Sequence, residues 1–202
     1  MSGPSRPEGR RTQRQRMLAG ELYRSDDPEL VRAHHRAVGL VERYNRTAAD
    51  DPELRRSILT ELLGAFGPGS ELRPPLACDY GTHLSIGART FVNFGLVALD
   101  AAPITVGNDV QIGPNVQLLA PTHPLDAALR RDGWEAAGPI SIGDNVWLGG
   151  GVIVLADVSI GSDTVVGAGA VVTRDLPSGV VAVGNPARIL RHLDEGPEGH
   201  PR

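Results

Sequence analysis

The chain has 202 residues, a formal charge of −4 and eight aromatic residues (three Phe, three Tyr, two Trp), which suits one domain with appended segments and excludes a core built on large rings. Twenty-five Gly, sixteen Pro and 41% apolar residues point to many tight corners around thin aliphatic layers, and the acidic balance excludes a strongly basic nucleic-acid binder. All twenty basic residues are Arg, so a Walker A phosphate loop and a lysine nucleophile or base are excluded, while the single Cys78 excludes disulfide frameworks and cysteine zinc clusters.

Residues 1–15 carry Arg6, Arg10, Arg11 and Arg14 with no apolar pattern, and read as a disordered, solvated arm. This start lacks the apolar segment of a signal peptide, and no apolar run is long enough to span a membrane, so a cytoplasmic protein is expected. A helical cap is predicted over 16–70, because the tetrapeptide DPEL opens two helices. Asp27 and Asp51 are the N-caps, Pro28 and Pro52 sit in the first turn, and the acidic residues Glu29 and Glu53 complement the helix dipole. Leu30, Ala33, Ala37, Leu40, Val41 and Tyr44 keep helical spacing in the first; Leu54, Ile58, Leu62 and Phe66 do so in the second, which stops at Gly67-Pro68-Gly69.

From residue 71 to 186 the pattern changes. Aliphatic residues recur every six positions through Ile142, Leu148, Val154, Ile160, Val166 and Val172, often followed by glycine, as at Gly143, Gly149, Gly161 and Gly167. An earlier stretch through Val106, Ile112 and Leu118 shares the phase, whereas Ile86 and Val92 stand two residues out of it. A period of six belongs neither to a helix nor to a β-meander; it suits short strands turned by small residues and stacked coil on coil. Residues 119–139 do not match the repeat, and a polar excursion from a regular coil is where function concentrates. Residues 187–202 form a C-terminal segment.

The blocks RMLAGELY with its DPEL helix, ALDAAPITVG through APTHP, and VVTRD through GNPARIL resemble the hexapeptide-repeat acetyltransferases, specifically the maltose/galactoside O-acetyltransferase group, over residues 16–193. The resemblance implies a mainly β fold, a left-handed parallel β-helix with an N-terminal helical segment, assembled as a homotrimer with active sites between subunits. It further implies acetyl-CoA as co-substrate, a small sugar as acceptor and no metal.

Acetyl transfer to an alcohol needs a base for the hydroxyl proton, and neutral imidazole suits that task. His123 in the THP loop matches the family's catalytic histidine, with Pro124 restricting its backbone. Glu135, twelve residues later, matches the carboxylate that fixes the imidazole. Asn93, Asp100 and Asp79 match acceptor-binding positions, although Asp100 suits a turn cap equally well. His34 stands where an Arg is expected, which argues against an acceptor contact from the N-terminal helices. Trp147, Gly150, Ala168 and Thr173 match the groove for the pantetheine arm. Arg188 and Arg191 match residues for CoA phosphates, or belong to a solvated terminal helix.

Two other classes share the architecture. A γ-type carbonic anhydrase needs three histidines on one metal, but the solenoid and its loop offer only His83 and His123; His34, His35, His192 and His200 lie elsewhere. A catalytically silent binding solenoid would not need the loop's His and Glu. Among enzymes, an antibiotic, an amino acid or an amino sugar is an alternative acceptor.

Overall fold

The computed structural model describes residues 11–193. The six-residue period folds as a parallel β-solenoid with three faces. In chain order, face one stacks strands Ala65–Phe66, Leu84–Ile86, Ile104–Val106, Ile140–Ile142 and Val158–Ile160. Face two stacks Glu71–Leu72, Phe91–Val92, Gln111–Ile112, Trp147–Leu148, Val165–Val166 and Val180–Val183. Face three stacks Leu76–Cys78, Leu96–Leu99, Gln117–Leu119, Ile153–Leu155 and Val171–Val172.

Register converts the repeat into a core. Ile112 pairs with Leu148 and Leu148 with Val166; Leu118 pairs with Val154 and Val154 with Val172. All six are buried, and burying a Val, Leu or Ile side chain contributes roughly 1.5–3 kcal/mol. The glycines after the aliphatics have a steric reason: a Cβ on Gly149 would stand 2.5 Å from the Ala168 backbone nitrogen of the next coil.

The phase slip marks one corner of the solenoid. Between faces three and one, eight residues separate Ala98 from Val106 where six separate Val154 from Ile160. Both early turns at this corner, 79–83 and 100–103, are enlarged, and the insertion leaves the solenoid at the same place one coil further on. Three consecutive coils therefore build out from a single edge.

The helices cover the first coil. α1 (Gln13–Leu18) starts from a Thr12 cap, so the chain is already helical inside the span expected as a disordered arm; residues 1–10 of that arm lie outside the described residues. α2 (Pro28–Asn45) and α3 (Pro52–Leu62) are capped by Asp27, accepting from the Glu29 amide at 2.9 Å, and Asp51, accepting from the Leu54 amide at 3.0 Å. α2 buries Leu30, Ala37, Leu40 and Tyr44. α3 departs from the predicted stripe: Leu54 is exposed, Leu59 is buried in its place, and Phe66 belongs to the first strand of face one. Asn45 exchanges two hydrogen bonds with the Leu76 backbone, at 2.8 and 2.9 Å, and Tyr44 donates to the Leu72 carbonyl. These contacts occupy polar groups of the first coil that an uncovered edge would leave open.

At the other end, Arg188–His192 is a strand antiparallel to Val180–Val183, not a solvated helix. Among the described residues no helix is long and apolar enough to cross a membrane.

Candidate active site

The enlarged corner, the inserted loop and the N-terminal segment enclose a cavity of about 430 Å³. The loop leaves through Pro121–Thr122 and returns through Trp134–Ala137, which pair antiparallel, with Thr122 opposite Ala136. Tyr23–Arg24 adds a third strand to that return, Tyr23 opposite Glu135 and Arg24 opposite Trp134. His123, directly after one of these strands, and Glu135, on its neighbour, both line the cavity.

Glu135 is held on both oxygens: Tyr23 donates to Oε2 at 2.9 Å and Ser25 to Oε1 at 2.8 Å. Burial, then the Glu135 charge, push the Tyr23 phenol far above its ordinary range, so it keeps its proton and remains a donor. The carboxylate that the resemblance assigns to the imidazole therefore meets two hydroxyls, and no hydrogen bond joins it to His123 among the described residues. His123 itself is exposed.

Asp79 lines the cavity from the enlarged corner. Burial first, then the neighbouring Asp100 and Glu135 charges, raise its carboxyl above the ordinary 3.8, while His34 opposes them. A raised folded value means that ionisation opposes folding: stability falls as pH rises through the interval above 3.8. An Asp79→Asn variant is accordingly expected to melt above the wild type at pH 7, the gap closing as pH falls toward 3.8. Thermal melts across that range check it, and a wild-type advantage at pH 7 refutes it.

Of the two readings that the sequence allows for Asp100, the structure shows the turn cap. It is 0% exposed and accepts three backbone amides, from Asp79 at 3.1 Å, Tyr80 at 2.8 Å and His83 at 3.0 Å. Its carboxylate fastens the 79–83 turn and does not reach the cavity. His34 also stands at the cavity. It lines the cavity with His35, and its Nδ1 lies 2.9 Å from the Asp79 carbonyl oxygen, a contact that requires a proton on Nδ1. The N-terminal helix α2 therefore forms part of the cavity wall.

Asn93 stands at another corner, between faces two and three, with its Oδ1 accepting the Phe94 amide at 2.8 Å. That corner also carries Gly150 and Ala168, stacked through Phe94–Asn115, Pro114–Gly151 and Gly150–Gly169 backbone bonds of 2.8, 2.8 and 2.9 Å. The amides of Gly150 and Ala168 make no backbone hydrogen bond among the described residues. Trp147 is 50% exposed beside this corner. Trp147, Val165, Val181 and Arg191 follow one another in register across face two, a span of roughly 14 Å at the usual strand spacing. Arg188, opposite Val183, is exposed nearby on the same terminal strand. Thr173 is exposed at the loop corner instead, away from Trp147.

Cys78 is buried on face three, and burial raises its thiol well above the ordinary range, so a thiolate nucleophile is disfavoured. Among the described residues no group of three or more His, Cys, Asp or Glu is arranged to hold a metal.

Sequence reasoning missed Tyr23 and Ser25. The RMLAGELY block contains Tyr23 but stops short of Ser25, and their partner lies 112 and 110 residues away.

A parallel β-solenoid with a histidine-bearing insertion and a helical cap defines the class of hexapeptide-repeat transferases. Residues 16–67 match the maltose acetyltransferase hexapeptide capping motif, and residues 139–174 match the bacterial transferase hexapeptide of six repeats. Nodulation protein L of Rhizobium meliloti (strain 1021) is 48% identical over 179 residues, covering 89% of this chain and 98% of that protein. The crystal structure of a maltose O-acetyltransferase from Clostridium difficile 630 superposes with a TM-score of 0.90 at 40% identity, covering 92% of this chain and 99% of that one. A galactoside acetyltransferase in complex with coenzyme A superposes with a TM-score of 0.89 at 34% identity, covering 92% and 93%. The chain belongs to the hexapeptide-repeat acetyltransferase family, in its maltose/galactoside O-acetyltransferase group.

Proposed function

We propose that the protein transfers acetyl from acetyl-CoA directly to a hydroxyl of a small, maltose- or glucose-like sugar, with His123 as general base. The observation that carries this reading is the cavity in which His123, Glu135 and Asp79 converge on one opening. The imidazole takes the acceptor's hydroxyl proton as its oxygen attacks the thioester carbonyl. The carbon–sulfur bond then breaks, and the departing CoA sulfur receives the proton. Glu135, fixed by Tyr23 and Ser25, supplies negative charge beside the imidazolium that forms, while Asp79 and Asn93 hydrogen-bond sugar hydroxyls.

Acetyl-CoA is the donor. Its pantetheine amides meet the backbone of Gly150 and Ala168 beside Trp147, its phosphates meet Arg188 and Arg191, and Thr173 approaches from the His123 corner, across the boundary between subunits. The active site lies between subunits of a homotrimer. Two features support this. His123 and the Asn93–Gly150–Ala168 column occupy different corners of one chain, flanking face three. The outward side of face three is also apolar, with Val97, Leu119, Ile153, Leu155 and Val171 half-buried, where face one presents Ser85, Thr105, Ser141 and Ser159. Reliance on acetyl-CoA supports a cytoplasmic location.

Thiol release from acetyl-CoA tests the reading across maltose, glucose, galactosides, chloramphenicol and serine. Turnover with the sugars is expected. Turnover confined to chloramphenicol or serine overturns the sugar assignment, and CoA binding without turnover on any acceptor overturns it as well. Failure to bind CoA at all returns the molecule to a silent solenoid.

A further inference from the structure

The loop bearing His123 has no core of its own. Its short helix α4 (Ala127–Arg131) buries no side chain, and Leu125 at its tip is 96% exposed. Within the chain, its placement comes from what grips its return strand. There, two guanidinium groups stand over the Trp134 ring, Arg16 and Arg24 each 5.8 Å from the centroid. The negative face of an indole attracts such cations.

Both arginines are themselves fixed. Arg16, on α1, donates from Nε to the Leu22 carbonyl at 2.6 Å. Arg24 donates its backbone amide to Gln13 Oε1 at 2.9 Å and its Nη2 to Asp26 at 2.8 Å. The Arg24 Nε is buried with no hydrogen-bond partner among the described residues, so Nη2 holds the guanidinium by one end, at Asp26, while its body lies over the ring. From Trp134 the connection to the chemistry is short. Glu135 is the next residue, Ala136 and Ala137 pair with Thr122 and Pro121, and His123 follows directly.

We infer that Arg16, Arg24 and Trp134 are positioning residues, through which the N-terminal segment 11–25 holds the His123–Glu135 loop in its reactive placement. The inference rests on His123 as the base. A shift of about 1 Å in a reacting group costs on the order of a hundredfold in rate, so a loosened grip appears in turnover and not in donor binding.

The test compares Trp134→Ala and an Arg16→Met/Arg24→Met double variant with wild type, in steady-state turnover and CoA affinity. The double variant leaves the ring and both strand pairs in place, so the outcome does not hinge on the fold tolerating loss of an indole. For both, kcat is expected to fall about tenfold or more while CoA affinity stays within about twofold. Trp134→Phe, which keeps a ring, is expected to recover most of the loss. In a His123→Ala background, neither change should lower the residual rate further. A double variant with wild-type kcat overturns the inference, as does equal slowing with and without His123. Full turnover by His123→Ala overturns instead the general-base reading beneath it.

Discussion

Replacing His123 by alanine is expected to lower acetyl transfer by about 10²–10⁴-fold while leaving fold and CoA affinity unchanged. The size follows from the role: without the imidazole, the acceptor hydroxyl must lose its proton to water as it attacks. The intact fold follows from the surroundings. His123 is exposed, and the strand that precedes it is held by Thr122 and Pro121 pairing with Ala136 and Ala137, not by its ring. Glu135→Gln is expected to cost less, because a carboxamide oxygen still accepts from Tyr23 or Ser25 while the charge beside the imidazolium is gone. Steady-state rates with the best sugar, beside CoA titration and oligomer size, check both. A His123→Ala protein that folds, binds CoA and turns over at the wild-type rate rules out the general base.

The solenoid was legible because its cause is local and repeated. An aliphatic every sixth residue, with glycine where a Cβ would stand about 2.5 Å from the next coil's backbone, as at Gly149, admits few other folds. The helix starts were legible for the same reason, since Asp27 and Asp51 cap amides two or three residues away. The inserted loop announced itself by breaking the period, and the two-residue slip before Val106 already marked the corner where the cavity forms. What sequence could not supply was long-range. Tyr23 and Ser25 meet Glu135 across more than a hundred residues, through a strand pair that neither segment advertises. Phe66 continued a helical stripe on paper, but the chain had to turn there to start face one. Asn93 and His123 belong to one motif set, yet coil arithmetic puts them at different corners, a separation that a linear reading does not reveal.

The sequence leaves Asp100 open between an acceptor contact and a turn cap, and its replacement separates the two readings. A direct acceptor contact predicts that Asp100→Ala abolishes sugar turnover at little cost to stability. The structure predicts the reverse emphasis. Three backbone amides lose their acceptor at once, those of Tyr80 in a buried turn and of Asp79 and His83 in half-buried positions. Each orphaned amide costs about 1–3 kcal/mol, with water relieving the outer two, so a loss of about 3 kcal/mol or more is expected. Asp100→Asn should fall between, because one oxygen still serves the Asp79 and Tyr80 amides while its NH₂ opposes the His83 amide. Acceptor turnover should fall with stability, since the turn carries Asp79 and Tyr80 into the cavity wall. CoA affinity should hold in whatever fraction folds, because the Gly150–Ala168 column stands at another corner. Denaturant unfolding of the three proteins decides: an Asp100→Ala protein as stable as wild type but silent toward sugars would restore the acceptor contact and remove the turn from its account.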